Sequence, residues 1–272
     1  MGSRGSASGS RGSSNAPPIS FTSFTNTNNA NINRVFQQLQ QQMQDPTPSA
    51  PPVNDNAADT LSKMTDDELA ALAQAAKKID MPNHIGDVDD ITQRFVYAAG
   101  LNEKPQTMTA SEMKQYMQQN GISQSEMLAR SINANTITVN GTQIVMSSDM
   151  IKNQFINGKY NYIGGKYGGQ AVGAGTYFDQ NGGKSTGYGN DTMVAILSSN
   201  ARVINLSTLQ SKAQAFASSH PKFARQVGSF GGGMWGGGKN NYAIYALAMG
   251  YNVIQRGSYY NVIDRKAVIV RK

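Results

Sequence analysis

Between residues 173 and 188 the chain reads Gly173-Ala174-Gly175-Thr176-Tyr177-Phe178 and then Lys184-Ser185-Thr186-Gly187-Tyr188. These residue types suit the binding of a flat ring. Two glycines let the backbone approach such a ring closely and take positive φ. Tyr177 and Tyr188 can offer faces for it to lie on. Ser185 can donate a hydrogen bond to a polar substituent or accept one from it. The same stretch also fits a plainer role, a Gly-rich turn between two strands with its tyrosines in the core.

Such a site needs a scaffold, and local signals outline one. Thr65-Asp66-Asp67-Glu68 and Thr109-Ala110-Ser111-Glu112 are capping boxes that predict helix starts. The first helix presents Leu69, Leu72, Ala73 and Ala76. A helix between them fits 89–99, with Gly100 as its stop. The three predict a small helical subdomain over 61–122. Alternating residues in 136–146 around Asn140-Gly141 predict a hairpin. A helix fits 149–156, capped by Ser148 and ended by Gly158. Strands fit 193–197, 202–205, 252–255, 259–263 and 267–271, and helices fit 207–218 and 240–249. The expected class is α+β. Gly228 to Gly238 is a glycine-rich loop carrying Trp235. It lacks the strand and helix context of a dinucleotide fingerprint. His220, before Pro221, reads as a helix-end residue.

Composition narrows the chemistry. The 272 residues include 28 Gly and 39% apolar residues, which fits a chain only partly globular. Residues 1–60 read as a disordered tail and linker, with one amphipathic helix at 32–44 suited to docking on a partner. There is no Cys and there are two His, so thiolate zinc sites and Cys nucleophiles are excluded and no metal site is expected. No apolar run is long enough to span a membrane, and the N-terminus lacks the apolar core of a signal peptide. Residues 1–150 carry 10 Lys+Arg against 14 Asp+Glu, net −4, while residues 151–272 carry 14 against three, net +11. A basic C-terminal half can attract a dinucleotide, an RNA or an acidic protein surface.

The 173–188 segment resembles the nicotinamide-binding segment of the ADP-ribosyltransferase superfamily. The pattern is Gly-x-Gly-x-Tyr-Phe followed by Lys-Ser-x-x-Tyr, as in poly(ADP-ribose) polymerases. Gly173, Gly175, Tyr177, Phe178, Lys184, Ser185 and Tyr188 carry the match. Met127-Leu128-Ala129-Arg130-Ser131-Ile132-Asn133 resembles the family's first strand, whose His or Arg binds ribose or phosphate. Arg130 then stands at that position, with Ser131 beside it. Arg130 also admits another reading, because Ser123-Gln124-Ser125-Glu126 is a capping box that would set it on an exposed helix face. The segment 257–270 resembles the family's late strand, with Tyr260, Val262 and Asp264 in register and Tyr259 where the catalytic Glu usually stands. No Glu follows Glu126.

The resemblance covers about 126–272, within an expected domain at 123–272. It implies an ADP-ribosyltransferase-like split antiparallel β-sandwich that takes NAD as substrate. Arg130, Tyr177 and Tyr259 would be the catalytic candidates. Arg130, Ser131, Gly173, Gly175, Tyr177, Phe178, Ser185 and Tyr188 would hold NAD. The implied activity is mono-ADP-ribosylation of a host protein or RNA by a phage-type protein located in the virion or host cytoplasm. The competing implication is a virion structural or cargo protein with a decayed transferase domain, docking to capsid or portal proteins through 32–44.

Overall fold

The computed structural model describes residues 57–79, 90–101, 103–139, 142–158, 172–180, 189–228, 230–231 and 241–272. The helix expected at 32–44, the Asn140-Gly141 turn, Ser185, Tyr188 and Trp235 lie outside the described residues. Within them, eight α-helices accompany one mixed sheet of eight strands and a separate two-stranded hairpin. No described helix is long and apolar enough to cross a membrane.

Helices α1 (Ala57–Ser62), α2 (Asp66–Ala76), α3 (Asp90–Ala98) and α4 (Ala110–Asn120) open the fold. Both expected capping boxes form, at Thr65 with Glu68 and at Thr109 with Glu112. Strand β1 (Gln106–Met108) lies between α3 and α4. The helices do not enclose a core of their own, so the expected 61–122 subdomain is part of a larger body. Leu61, Leu69, Ala73, Phe95 and Val96 share one cluster with Ile204, Leu209, Phe223 and Tyr245. Phe95 meets Phe223 edge-on at 6.1 Å. Ala58 is also buried, and a Cβ on Gly250 would lie 3.0 Å from its carbonyl oxygen. The folded body therefore begins by Ala57, and the expected boundary at 60/61 cuts through α1.

The chain continues through β2 (Leu128–Ile132), β3 (Asn135–Val139), β4 (Thr142–Met146), α5 (Ser148–Asn157), β5 (Thr176–Gln180), β6 (Asp191–Leu197) and β7 (Val203–Asn205). The expected hairpin is β3–β4. The cap of α5 is Ser147, whose side chain accepts from the Met150 N–H, one residue before the position expected. Then come α6 (Leu206–Ser219), α7 (Pro221–Val227), α8 (Tyr242–Ala248), β8 (Val253–Arg256), β9 (Tyr259–Val262) and β10 (Val268–Arg271). The short α7 has Pro221 in its first turn, where a missing N–H costs nothing. Its N-terminus is capped from another helix, since Asp66 accepts from the N–H groups of Lys222 and Phe223. His220 links α6 and α7 and stacks on Phe216 at 4.0 Å, a helix-end role.

Sheet order is β1-β10-β6-β2-β5-β9-β8-β7. The six inner strands pair antiparallel, while β1 on β10 and β7 on β8 are parallel. The result is a mixed, open sheet in place of a purely antiparallel one. The β7–β8 connection runs through α6, α7 and α8, the crossover that parallel neighbours require.

Three clusters cover this sheet. One face packs Leu128, Phe178, Met193, Tyr260 and Val262 against Ile144, Ile151 and Phe155 of β4 and α5. On the other face α4 covers Val194, Ile196 and Ile269. Beyond it, α6, α7 and α8 cover Ile204 and Ile254. In the strand order, the strands under these two covers lie on either side of the junction of β2 and β5.

Candidate functional site

The three segments singled out by resemblance become neighbours at that junction. Strand β2 carries Arg130, β5 carries Tyr177 and β9 carries Tyr259. The β2–β5 ladder consists of two residue pairs, Leu128↔Gln180 and Ala129↔Asp179. Past Ala129 it ends, although β2 stays paired with β6 through Ile132 and β5 with β9 from Thr176. The sheet is thus two four-stranded halves joined by a short seam. The Ser123 capping box does form, but it closes a single 3-10 turn at Gln124–Glu126 and the chain then enters β2. Arg130 is therefore a strand residue and not on an exposed helix face.

Arg130 reaches across the seam. Its Nη1 donates to the backbone oxygen of Tyr177 at 3.0 Å. Its Nε is enclosed with no hydrogen-bond partner, and the side chain forms no ion pair among the described residues. Burial pushes the guanidinium down to about 10, so it stays cationic at neutral pH. An enclosed cation with a spare donor is costly unless an anion or acceptor meets it. A planar fork of donors is well matched to a phosphate.

Tyr177 is held by its own turn. Its hydroxyl accepts from the Val172 N–H at 2.9 Å and donates to the Gly173 oxygen at 2.7 Å. Burial holds the phenol well above its ordinary range, against the Val172 hydrogen bond and the Arg130 and Arg256 charges. Tyr177 is thus a neutral ring with its hydroxyl already engaged, suited to contact and not to proton transfer. Asn261 of β9 is Tyr177's cross-strand partner and is 1% exposed. Its Nδ2 donates to Gly173 O at 3.4 Å and Ala174 O at 3.3 Å.

The two glycines are used inside the chain. A Cβ at Gly173 would lie 2.7 Å from the Ala243 nitrogen of α8, and one at Gly175 would lie 2.1 Å from Asn261 Oδ1. Both have positive φ, 95° and 151°. Their identity is explained by these contacts, which the expectation of close approach to a ligand ring did not foresee.

Alternation along a strand sorts the other candidates by face, because residues i and i+2, and cross-strand partners, share a side. Phe178 faces the cluster built on Phe155, whose ring it meets at 6.1 Å, and is 0% exposed. It is a core residue, and its assignment as an NAD contact is corrected on that ground. Arg130 shares the side of Leu128 and Ile132. Tyr177, Asp179, Asn261 and Tyr259 lie on the opposite side, with Ala129 and Ser131. Tyr259 is 45% exposed, while its neighbour Tyr260 is in the core and its hydroxyl accepts from Gln255. Ser131 is 6% exposed. Arg130 and Tyr177 are thus brought into contact, but through a backbone oxygen and not face to face.

The end of the late strand holds two buried ionisable residues, Asp264, which the resemblance places in register, and Arg265, which the sequence reading missed. Arg265 is 0% exposed, and its Nη1 donates to Phe155 O and Gly158 O at the C-terminus of α5. Burial lowers its guanidinium to about 10, with the Asp264 charge acting against that shift. Asp264 is 3% exposed and accepts from the Lys266 N–H. Burial pushes its carboxyl up to about 6, opposed by the Lys266 hydrogen bond and the Lys266 and Arg265 charges.

The sign of the linkage follows. Between the ordinary carboxyl range and about pH 6, the native state holds a proton that the unfolded chain has released. The corresponding stability is present below about pH 4 and is lost as pH rises through about 6. Asp264→Asn keeps the acceptor for Lys266 and removes the charge. It should be more stable than the native chain by on the order of 2–3 kcal/mol at pH 7.5, with the difference vanishing near pH 3.5. Urea unfolding at the two pH values measures this, and an equal gap at both would reject it.

Comparison with known proteins returned no match among protein-family models, curated proteins or solved structures.

Proposed function

We propose that the chain is an NAD-binding protein of the ADP-ribosyltransferase type, a mono-ADP-ribosyltransferase acting on a host protein or RNA in a phage setting. One observation carries the reading. Three segments far apart in the chain, chosen because they resemble the superfamily's first strand, ring-binding segment and late strand, form the adjacent strands β2, β5 and β9. The short seam between β2 and β5 and the two flanking half-sheets support a split-sheet fold of that kind.

The residues fit the substrate in chemical type. Arg130 has an enclosed donor without a partner, as a pyrophosphate or ribose site would need. Tyr177 offers an apolar ring with no free acid–base function. Bound NAD would supply the labile glycosidic bond, and this chain would orient it and face its developing charge.

A second reading also has an observation in its favour. Gly173 and Gly175 are filled by Ala243 and Asn261, and Tyr259 stands where a Glu is usual. Both would suit a decayed domain retained for a structural or cargo role in a virion, with residues 32–44 as the docking segment.

Titration calorimetry of the full chain with NAD separates the two. The transferase reading expects saturable binding, weakened about tenfold or more by Arg130→Lys, which keeps the charge and loses the fork. Absence of binding by the native chain would favour the decayed domain. Equal affinity in a folded Arg130→Lys variant would remove Arg130 from the site. Labelled NAD incubated with a host lysate then identifies the modified macromolecule.

A further inference from the structure

Beyond Asp149, in the first turn of α5, the chain has three acidic residues, namely Asp179, Asp191 and Asp264. Two of them are committed. Asp191 pairs with Lys152 and accepts from the Thr192 N–H, and it lies opposite Ile132 at the far end of β2. Asp264 caps the 3-10 turn after β9 and is buried beside Arg265 and Lys266. Asp179 alone remains at the seam. Its Oδ1 is enclosed and has no hydrogen-bond partner.

Register gives Asp179 a defined position. Ala129, Asp179, Tyr259 and Arg256 form one cross-strand row over β2, β5, β9 and β8. Asp179 is thus the immediate neighbour of Tyr259. It also shares a strand face with Tyr177, two residues before it. The last paired position of the seam is Ala129↔Asp179, so the carboxylate sits where the two half-sheets begin to separate. An enclosed oxygen with no donor is expensive to maintain and is satisfied when a hydroxyl-bearing ligand arrives.

We infer that Asp179 is the carboxylate that faces the nicotinamide ribose in this chain, taking from β5 the part for which the late strand offers only Tyr259. The inference rests on the NAD reading above. In the step it would assist, the bond between ribose C1′ and the nicotinamide nitrogen breaks, and its electron pair leaves with nicotinamide. Positive charge develops on C1′ and the ring oxygen, opposite the Asp179 carboxylate. The oxygen of water or of an acceptor hydroxyl bonds to C1′, and its proton passes to Asp179 and on to solvent. NAD and water give nicotinamide, ADP-ribose and a proton, with no oxidant or reductant required.

The test measures NAD affinity and nicotinamide release on the full chain, with melting curves to verify each fold. Asp179→Asn should bind NAD within about threefold of the native chain while kcat for release falls about 100-fold or more. Asp179→Ser, a second charge-free variant, should behave alike, and Asp179→Glu should recover at least about tenfold over the Asn variant. Release within threefold of native in either folded charge-free variant overturns the assignment. Native NAD binding with no release also overturns it, and leaves the binding reading intact. Absence of NAD binding overturns both together.

Discussion

Replacing Arg265 by Ala should lower the unfolding free energy by about 3–5 kcal/mol, among the largest single losses available in this fold. The side chain is 0% exposed and donates to Phe155 O at 3.0 Å and Gly158 O at 2.6 Å. Those carbonyls belong to the end of α5, where the helix has no internal donors left and its dipole favours a cation. The substitution would also remove one of the two opposite charges beside the buried Asp264. Arg265→Lys keeps a cation on a shorter side chain that does not carry its nitrogen to the Nη1 position, so an intermediate loss is expected. Urea unfolding at neutral pH provides the measurement. A loss below about 1 kcal/mol would show that α5 is anchored mainly by the packing of Ile151 and Phe155.

Phe178→Ala should cost a similar amount, about 3–5 kcal/mol, through lost burial and the cavity it leaves. Its ring is wholly enclosed against Phe155, Leu128 and Tyr260. Phe178→Leu roughly conserves volume and should cost less than about 1.5 kcal/mol. The two variants also separate packing from ligand contact. Phe178 faces away from the Tyr177 side of β5, so the Leu variant should bind NAD as the native chain does. A large loss of affinity in a stable Leu variant would return Phe178 to the site, on the face it shares with Arg130.

The local signals in the sequence translated directly wherever their partners lie within one turn. Thr65 with Glu68 and Thr109 with Glu112 form their boxes because donor and acceptor are three residues apart, whatever surrounds them. The same chemistry misled at Ser123. The box formed, but capping determines where a helix can start and not how far it runs. Leu128 and Ala129 gain more by pairing between β6 and β5 than by extending the turn. Asp179 was legible in part. It is the one acid inside the ring-binding segment and lies two residues after Tyr177, hence on the same strand face. What was missing was the neighbour that gives it meaning, Tyr259, 80 residues further on.

The sequence by itself determined the periodicities. The alternation over 136–146 marked a hairpin, and the absence of any Glu after Glu126 limited the chemistry the late strand could offer. The strand Thr176–Gln180, which puts Tyr177 and Phe178 on opposite faces, emerged only with its pairing to β9. Only the tertiary structure decided which face was core, because that depends on Phe155 arriving from α5. It alone set β2, β5 and β9 side by side, with the ladder ending after Ala129. Strand order is chosen by burial of both sheet faces over the whole chain, and no window of a few residues contains that information.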